Sequence, residues 1–238
     1  MSEQSQNTLI ITGGSKGIGH AACALFLEKG WRVINISRTP SSLPEVEQLQ
    51  IDLGDPTWPQ QHGEALLRQI GTPARLCVIH NAGLMLKDSS TTVTTEGLQR
   101  SLQINVVSPT QLTRLLVPVM KPGSSAIYVS STLGEKAVAN TCSYVISKHA
   151  MVGAMRAACQ DLAGTGIHTA CVCPGFTDTE MLRAHLGHDQ GILDSIAGGV
   201  TFGRLIEARE IADTLWFCAE NPVINGAVIH ANLGQVEH

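Results

Sequence analysis

The tightest constraint on this chain is the turn Thr12-Gly13-Gly14-Ser15-Lys16-Gly17-Ile18-Gly19. It sits between an apolar run, Leu9-Ile10-Ile11, and a stretch with helical spacing at Ile18, Ala21, Ala22, Leu25 and Phe26. Glycines at such a junction permit a tight turn. They also let backbone approach a pyrophosphate, and let the helix sit close on the strand. The helix N-terminus then presents unpaired N–H groups and a positive dipole end to phosphates. Gly17-x-Gly19-x-x-Ala22 fits the dinucleotide fingerprint, and its place between strand and helix is the context that fingerprint requires. No Gly-Lys-Ser/Thr follows, so a Walker phosphate loop is excluded.

The remaining chain alternates in the same way. Strand-like runs are expected at Arg32–Ile36, Leu49–Ile51, Leu76–Ile79, Ala126–Val129, Thr169–Cys173 and Ala227–Ile229. Helical patterns fall at 18–29, closed by Gly30, then at 58–70, 94–120 (with Pro109 and Pro118 as irregularities), 144–163 and 207–219. This β-α alternation predicts a single-domain, Rossmann-type, doubly wound parallel sheet with helices on both faces. The continuous Val/Ile/Leu character of the runs suits strands buried on both sides. No repeat or linker divides the chain, so residues 1–238 read as one dinucleotide-binding and catalytic domain. Residues 176–203, with Gly187, Gly191, Gly198 and Gly199, read as an irregular, mobile substrate lid.

Composition excludes several classes. Apolar residues at 43% and charged residues at 15% rule out a disordered, collagenous or coiled-coil chain. Lys+Arg 16 against Asp+Glu 20 leaves no basic excess for a nucleic-acid backbone. The seven cysteines are scattered without a Cys-x-x-Cys pair, which suits reduced, buried thiols in the cytoplasm. Residues 1–8 lack the cationic start of a secretory signal. No apolar run reaches the roughly 18 residues needed to span a bilayer. The expectation is a cytoplasmic protein without membrane or nucleic-acid partners.

Cofactor choice is read at the end of the second strand, where an acid about 20 residues past the glycines would bind a ribose 2′-OH. Here Ser37-Arg38-Thr39 carries none, and no acid precedes Glu45. Arg38, with Lys16 in the glycine loop, is placed to meet a 2′-phosphate, which predicts NADP(H). Tyr144 and Lys148 are four apart on one helix, so phenol and ammonium share a face. A neighbouring Lys⁺ lowers a phenol pKa from about 10. Ser131 lies at the end of the fifth strand, where a parallel sheet binds ligands.

With these elements in order, the chain resembles the short-chain dehydrogenase/reductase family, in its branch of about 250 residues, from Leu9 to about Ile229. The match rests on Thr12 to Gly19, Asp52, Asn81-Ala82-Gly83, Asn105, Ser130-Ser131, Tyr144 with Lys148, and Pro174-Gly175 with Thr179. The resemblance implies Tyr144 as general acid. It implies Lys148 holding the nicotinamide ribose and lowering the Tyr144 pKa, and Ser131 bonding the substrate oxygen. Asn105 would bind a water that relays protons to Lys148. Asp52 and Leu53 would meet the adenine, and Asn81 would brace sheet and cofactor. Pro174, Gly175, Thr177 and Thr179 would line the nicotinamide side. Thr12, Gly13, Ser15, Lys16, Gly17, Ile18, Gly19, Ser37, Arg38, Ala82 and Gly83 complete the expected cofactor site. The resemblance also implies a homodimer or homotetramer, with the small-residue face from Ala150 to Ala158 as a subunit contact.

Three features depart from the family pattern, and a fourth sets the chain apart from one of its branches. His80 replaces a second Asn, which bears on sheet contacts. Pro40 and Pro44 shorten the second crossover. Ala231-Asn232-Leu233-Gly234 stands where many relatives carry Asp-Gly-Gly. Gly17 replaces the Arg of pteridine reductases. His185-x-x-His188-Asp189 lacks a third ligand at fixed spacing and is read as a solvated lid, so no metal is expected. The sequence thus reads as an NADPH-dependent reductase of a ketone or aldehyde, working by hydride transfer, or as the reverse oxidation. The alternatives are a 3-oxoacyl-carrier-protein reductase and, from another class, a non-catalytic NADP(H)-binding sensor.

Overall fold

In the computed structural model, described here over residues 6–186 and 190–235, seven strands form one sheet. They are β1 (Thr8–Thr12), β2 (Arg32–Ser37), β3 (Glu47–Gln50), β4 (Leu76–His80), β5 (Ser125–Val129), β6 (His168–Pro174) and β7 (Ala227–Ala231). Their order is β3-β2-β1-β4-β5-β6-β7, and every neighbouring pair is parallel. The chain winds outward from β1 in one direction and then returns to build the other half from β4. The order therefore reverses between β1 and β4, which opens a crevice at the carboxyl ends of the strands.

Alternation within β1 explains the two layers. Leu9 and Ile11 face one side and Ile10 the other, all fully buried. On the first side α1 (Gly17–Glu28) and α8 (Ala208–Glu220) cover the sheet. Phe26 there meets Trp31 and Trp216 edge-to-face at 5.3 and 5.0 Å. On the other side lie α2 (Trp58–Ile70), α4 (Ser108–Leu116) and α5 (Cys142–Asp161). Gly30, at φ +78°, ends α1 as expected, and Trp31 N–H returns to the Phe26 carbonyl at 3.0 Å. That geometry favours glycine.

Several boundaries differ from the sequence reading, each for a physical reason. The third strand begins at Glu47, not Leu49, because Arg32 donates to both Glu47 oxygens and carries that charge into the sheet edge. The crossover before it contains no helix, in keeping with Pro40 and Pro44. The long pattern at 94–120 divides into α3 (Thr95–Leu102), a π-helical turn Gln103–Val107, α4, and a 3₁₀ turn Val117–Val119. Pro109 opens α4 and Pro118 lies in the 3₁₀ turn. The segment 176–203, expected to be irregular, is helical over much of its described part, while Gly187 lies outside the described residues. It carries α6 (Glu180–Leu186) and α7 (Gln190–Gly198). Buried Leu193 and Val200 anchor this region, and tertiary burial outweighs the low helix propensity of its glycines.

His80 is fully buried, bonds Thr113 Oγ1 at 2.9 Å and lies 4.6 Å from the Tyr128 ring. Burial pushes it down to about 3, so it is a neutral sheet-packing group. All seven cysteines are unpaired; Cys142 and Cys159 are half-buried and the others buried. No helix among the described residues is long and apolar enough to cross a membrane.

The aromatic cluster yields a stability prediction. Phe26→Ala removes a fully buried ring from between two tryptophans. It should lower the unfolding free energy by about 3–5 kcal/mol in urea titrations. A loss below about 1 kcal/mol would show that the cluster is not a stabilising centre.

Candidate active site

The crevice at the carboxyl ends of the strands is a cleft of about 660 Å³. Of the site residues expected from sequence, all but Thr12, Gly19 and Asn105 line it. Those three sit directly behind its wall. Thr12 Oγ1 accepts from the N–H groups of Asn81 (3.0 Å) and Ala82 (2.9 Å), which staples β1 to the end of β4. Asn81 Nδ2 answers by donating to the carbonyls of Thr12 and Gly13 at 3.0 and 3.1 Å. A Cβ at Gly19 would stand 2.2 Å from the Gly13 carbonyl oxygen, so only glycine fits there.

A residue missed by the sequence reading supports the same loop. Asn35 is fully buried in β2. Its Oδ1 accepts from Gly14 N–H at 2.7 Å, and its Nδ2 donates to Ser37 Oγ (2.8 Å) and Gln48 Oε1 (2.9 Å). The one signal for it was an amide within the buried run Val33-Ile34-Asn35-Ile36. The result is an open, glycine-walled cradle at the N-terminus of α1. It suits the phosphates of a dinucleotide, with room that larger side chains would fill.

Cations meet the ribose end of this cradle. The Arg38 guanidinium lines the cleft and has no hydrogen-bond or ion-pair partner among the described residues. Lys16 Nζ lies 3.1 Å from Glu180 on α6, both side chains about two-thirds exposed at 65% and 66%. Asp52 also lines the cleft, its Oδ1 taking the Gly54 N–H at 2.9 Å. Thr179 crosses from the far wall, and a Cβ at Gly17 would come within 3.1 Å of its methyl group.

At the other end Ser131, Tyr144 and Lys148 converge. Ser131 Oγ accepts from Leu133 N–H at 3.1 Å and is hydrogen-bonded to the Tyr144 hydroxyl. Burial pushes the Tyr144 phenol up to about 12, against the lowering pull of Ser131. This corrects the expectation that Lys148 lowers the phenol pKa. The Lys148 ammonium instead donates to the Val129 carbonyl at 2.7 Å and lies 5.4 Å from the centre of the Tyr144 ring. Desolvation is the largest cause of the rise in the phenol pKa, and Ser131 is what opposes it. Burial pushes Lys148 itself down to about 8, partly countered by the Cys171 and Cys173 thiols.

Asn105 stands in the π-helical turn. Its amide exchanges bonds with the Leu84 backbone (2.7 and 2.9 Å) and donates to Ser147 Oγ at 2.8 Å. Ser147 in turn donates to the Tyr144 carbonyl at 2.8 Å. The Asn105 side chain is thus engaged in bracing α5. His188 and Asp189 lie outside the described residues, among which no group of three metal-binding side chains occurs.

Comparison with known proteins agrees with this geometry. The family described as enoyl-(acyl carrier protein) reductase matches residues 13–235. The chain is similar to the short chain dehydrogenase adrF of Penicillium roqueforti, 30% identical, with 93% of each chain covered. A solved short chain dehydrogenase family protein from Francisella tularensis superposes with a TM-score of 0.88 at 26% identity, covering 98% of this chain and 99% of that one. ElxO with NADP bound superposes with a TM-score of 0.85 at 24% identity, covering 97% and 98%.

The buried lysine yields a pH prediction. Its folded pKa, about 8, lies below the unfolded value of 10.5. Between those values the unfolded chain holds the extra proton, so stability rises with pH. Lys148→Met removes this dependence. Wild type should gain about 2 kcal/mol relative to the variant from pH 8 to 10, at roughly 1.4 kcal/mol per unit. Parallel stability curves would show that Lys148 is not held in a desolvating site.

Proposed function

The chain belongs to the short-chain dehydrogenase/reductase family, and within it we propose an NADP(H)-dependent carbonyl reductase. The family makes it an oxidoreductase acting on alcohol and carbonyl groups. The observation that carries the finer reading is the convergence of Ser131, Tyr144 and Lys148 on one end of a cleft whose other end is a glycine-walled, cationic cradle.

The residues present fit a nicotinamide dinucleotide. Gly13, Ser15, Gly17 and Ile18 would take the pyrophosphate, Asp52 and Leu53 the adenine, and Lys148 the nicotinamide ribose. Pro174, Gly175, Thr177 and Thr179 would flank the ring. When bound, the reduced nicotinamide supplies the hydride. Tyr144, raised to about 12, stays protonated at neutral pH and donates its proton to the carbonyl oxygen. Ser131 hydrogen-bonds the same oxygen and steadies its developing charge. Lys148, near 8, is mostly charged at pH 7 and can return a proton toward Tyr144. Any water relay from Asn105 would use its backbone, since its amide is occupied.

Arg38 supports NADP(H) over NAD(H), because its unpartnered fork of donors suits a 2′-phosphate. Lys16 would contribute less, being exposed and shared with Glu180. Reduction of a 3-oxoacyl carrier protein is the second reading, raised by the description of the matched family. An acidic carrier wants free cations at the mouth. Arg183 and Arg204 are each held by a carboxylate, Asp178 and Glu210, at 2.7 Å. A non-catalytic sensor is disfavoured because the full Asn105, Ser131, Tyr144 and Lys148 set is present. The seven unpaired cysteines support a cytoplasmic setting. The open face of α5 around exposed Ile146 and Gly153 supports a homo-oligomer.

Two measurements test this reading. Tyr144→Phe should lower kcat by about 10²–10⁴-fold, the usual share of a general acid, and leave the NADP⁺ Kd nearly unchanged. Retained turnover would remove Tyr144 as the acid. Arg38→Ala should lower kcat/KM for NADPH about ten- to a hundredfold, the value of a charged hydrogen bond, and spare NADH. Equal losses with both cofactors, or a wild-type preference for NADH, would overturn the cofactor assignment.

A further inference from the structure

The catalytic end of the cleft differs in chemistry from the nucleotide end. Its walls are Met85, Leu133, Val138, Phe176, Met181 and Leu182. Leu133 and Val138 follow Ser131 in the chain, while Phe176, Met181 and Leu182 follow Pro174 and Gly175. All six line the same cleft as Ser131 and Tyr144. Val138 and Met181 are 53% and 44% exposed, although both are large and apolar. Exposed apolar surface that is continuous with a reactive centre marks a ligand contact.

Formal charge is concentrated elsewhere. Among the described residues, the charged side chains lining the cleft are Lys16, Arg38, Asp52, Arg100, Lys148 and Glu180. Lys16 and Glu180 pair with each other across the glycine loop. Arg38 and Asp52 belong to the nucleotide end. Arg100 lies on the turn of α3 before Ile104, whose methyl end approaches Gly54 beside Asp52. Lys148 is tied to the Val129 carbonyl. His185 completes the lining at the apolar end. Burial and the nearby charge of Lys87 both push it below its ordinary value, so it is neutral at pH 7.

We infer that the substrate is an uncharged carbonyl compound with an extended apolar tail, laid between Val138 and Met181 while its carbonyl meets Tyr144 and Ser131. This rests on the reduction proposed above. Such a tail covers the two exposed side chains and meets no unpaired charge. The competing occupant is a carbonyl compound ending in a carboxylate, which would seek Lys87, near enough to His185 to act on its charge.

The test uses the methyl ketones from 2-butanone to 2-octanone, with 7-oxooctanoate as the anionic counterpart of the longest. Each is titrated calorimetrically into the enzyme saturated with NADP⁺, and each is assayed for NADPH consumption. Affinity should rise roughly two- to fourfold per added methylene, as burial of one CH₂ gives. 2-Octanone should bind at least about tenfold more tightly than 7-oxooctanoate. Val138→Asp, at an exposed position, should flatten the series. A flat or falling series, or preference for the keto acid, overturns the inference even where turnover is seen. Rising affinity without NADPH consumption upholds the apolar site and overturns the reductase reading. Neither binding nor turnover overturns both.

Discussion

The backbone of residues 12–19 is held from two sides by side-chain amides, one of them fully buried, and the remaining geometry follows from that clamp. Asn81, at the end of β4, grips the carbonyls of Thr12 and Gly13, while Asn35, in β2, grips the N–H of Gly14. Asn35 sits within β2 and Asn81 just past the end of β4, the two strands that flank β1. The loop is thus pinned across the point where the strand order reverses. With its polar groups satisfied from behind, its remaining N–H groups are free to face the cleft. Leaving the buried Asn35 amide unpaired costs roughly 1–3 kcal/mol, so the clamp also ties the cradle to the stability of the sheet. The closeness that Gly19 allows between α1 and the Gly13 carbonyl completes the arrangement.

At the catalytic end the protein gives up stability for placement. Lys148 is buried without a carboxylate, and Tyr144 is buried beside it. Both pKa values move toward the neutral forms, the lysine down and the tyrosine up. A phenol held at about 12 is a reluctant base but is present as an acid at every ordinary pH, which suits protonation of a carbonyl oxygen. Ser131 works in the other direction by stabilising the phenolate. The brace through Asn105 and Ser147 fixes the first turns of α5, so Tyr144 and Lys148 keep their spacing.

The legible parts of the sequence were those where local rules and global fold agree. The glycine loop, the apolar strands, Gly30 and the Tyr144–Lys148 spacing each follow from short-range geometry. What was hidden depended on distant partners. Glu47 opens a strand only because Arg32, fifteen residues earlier, meets it. Asn35 matters only because Gly14 lies above it. The π-helical turn at Asn105 leaves no trace in hydrophobic periodicity. The sign of the Tyr144 shift depends on burial and on where Lys148 points. Helix α7 forms where Leu193, and Val200 just past its end, find cover, against the glycines around them.

Helix α6 joins the two ends of the cleft. Thr179, just before it, covers Gly17, and Glu180 reaches Lys16. Met181 and Leu182, on the same short turn, form part of the apolar wall. A seven-residue helix cannot move its first residue away from the phosphate cradle without moving the next two away from the substrate wall. The Lys16–Glu180 bridge is exposed and contributes little by itself. Through Thr179 on Gly17 and Glu180 on Lys16, the glycine loop and α6 are in direct contact, while Met181 and Leu182 of the same helix line the cleft. The placement of α6 is therefore tied to that of the glycine loop.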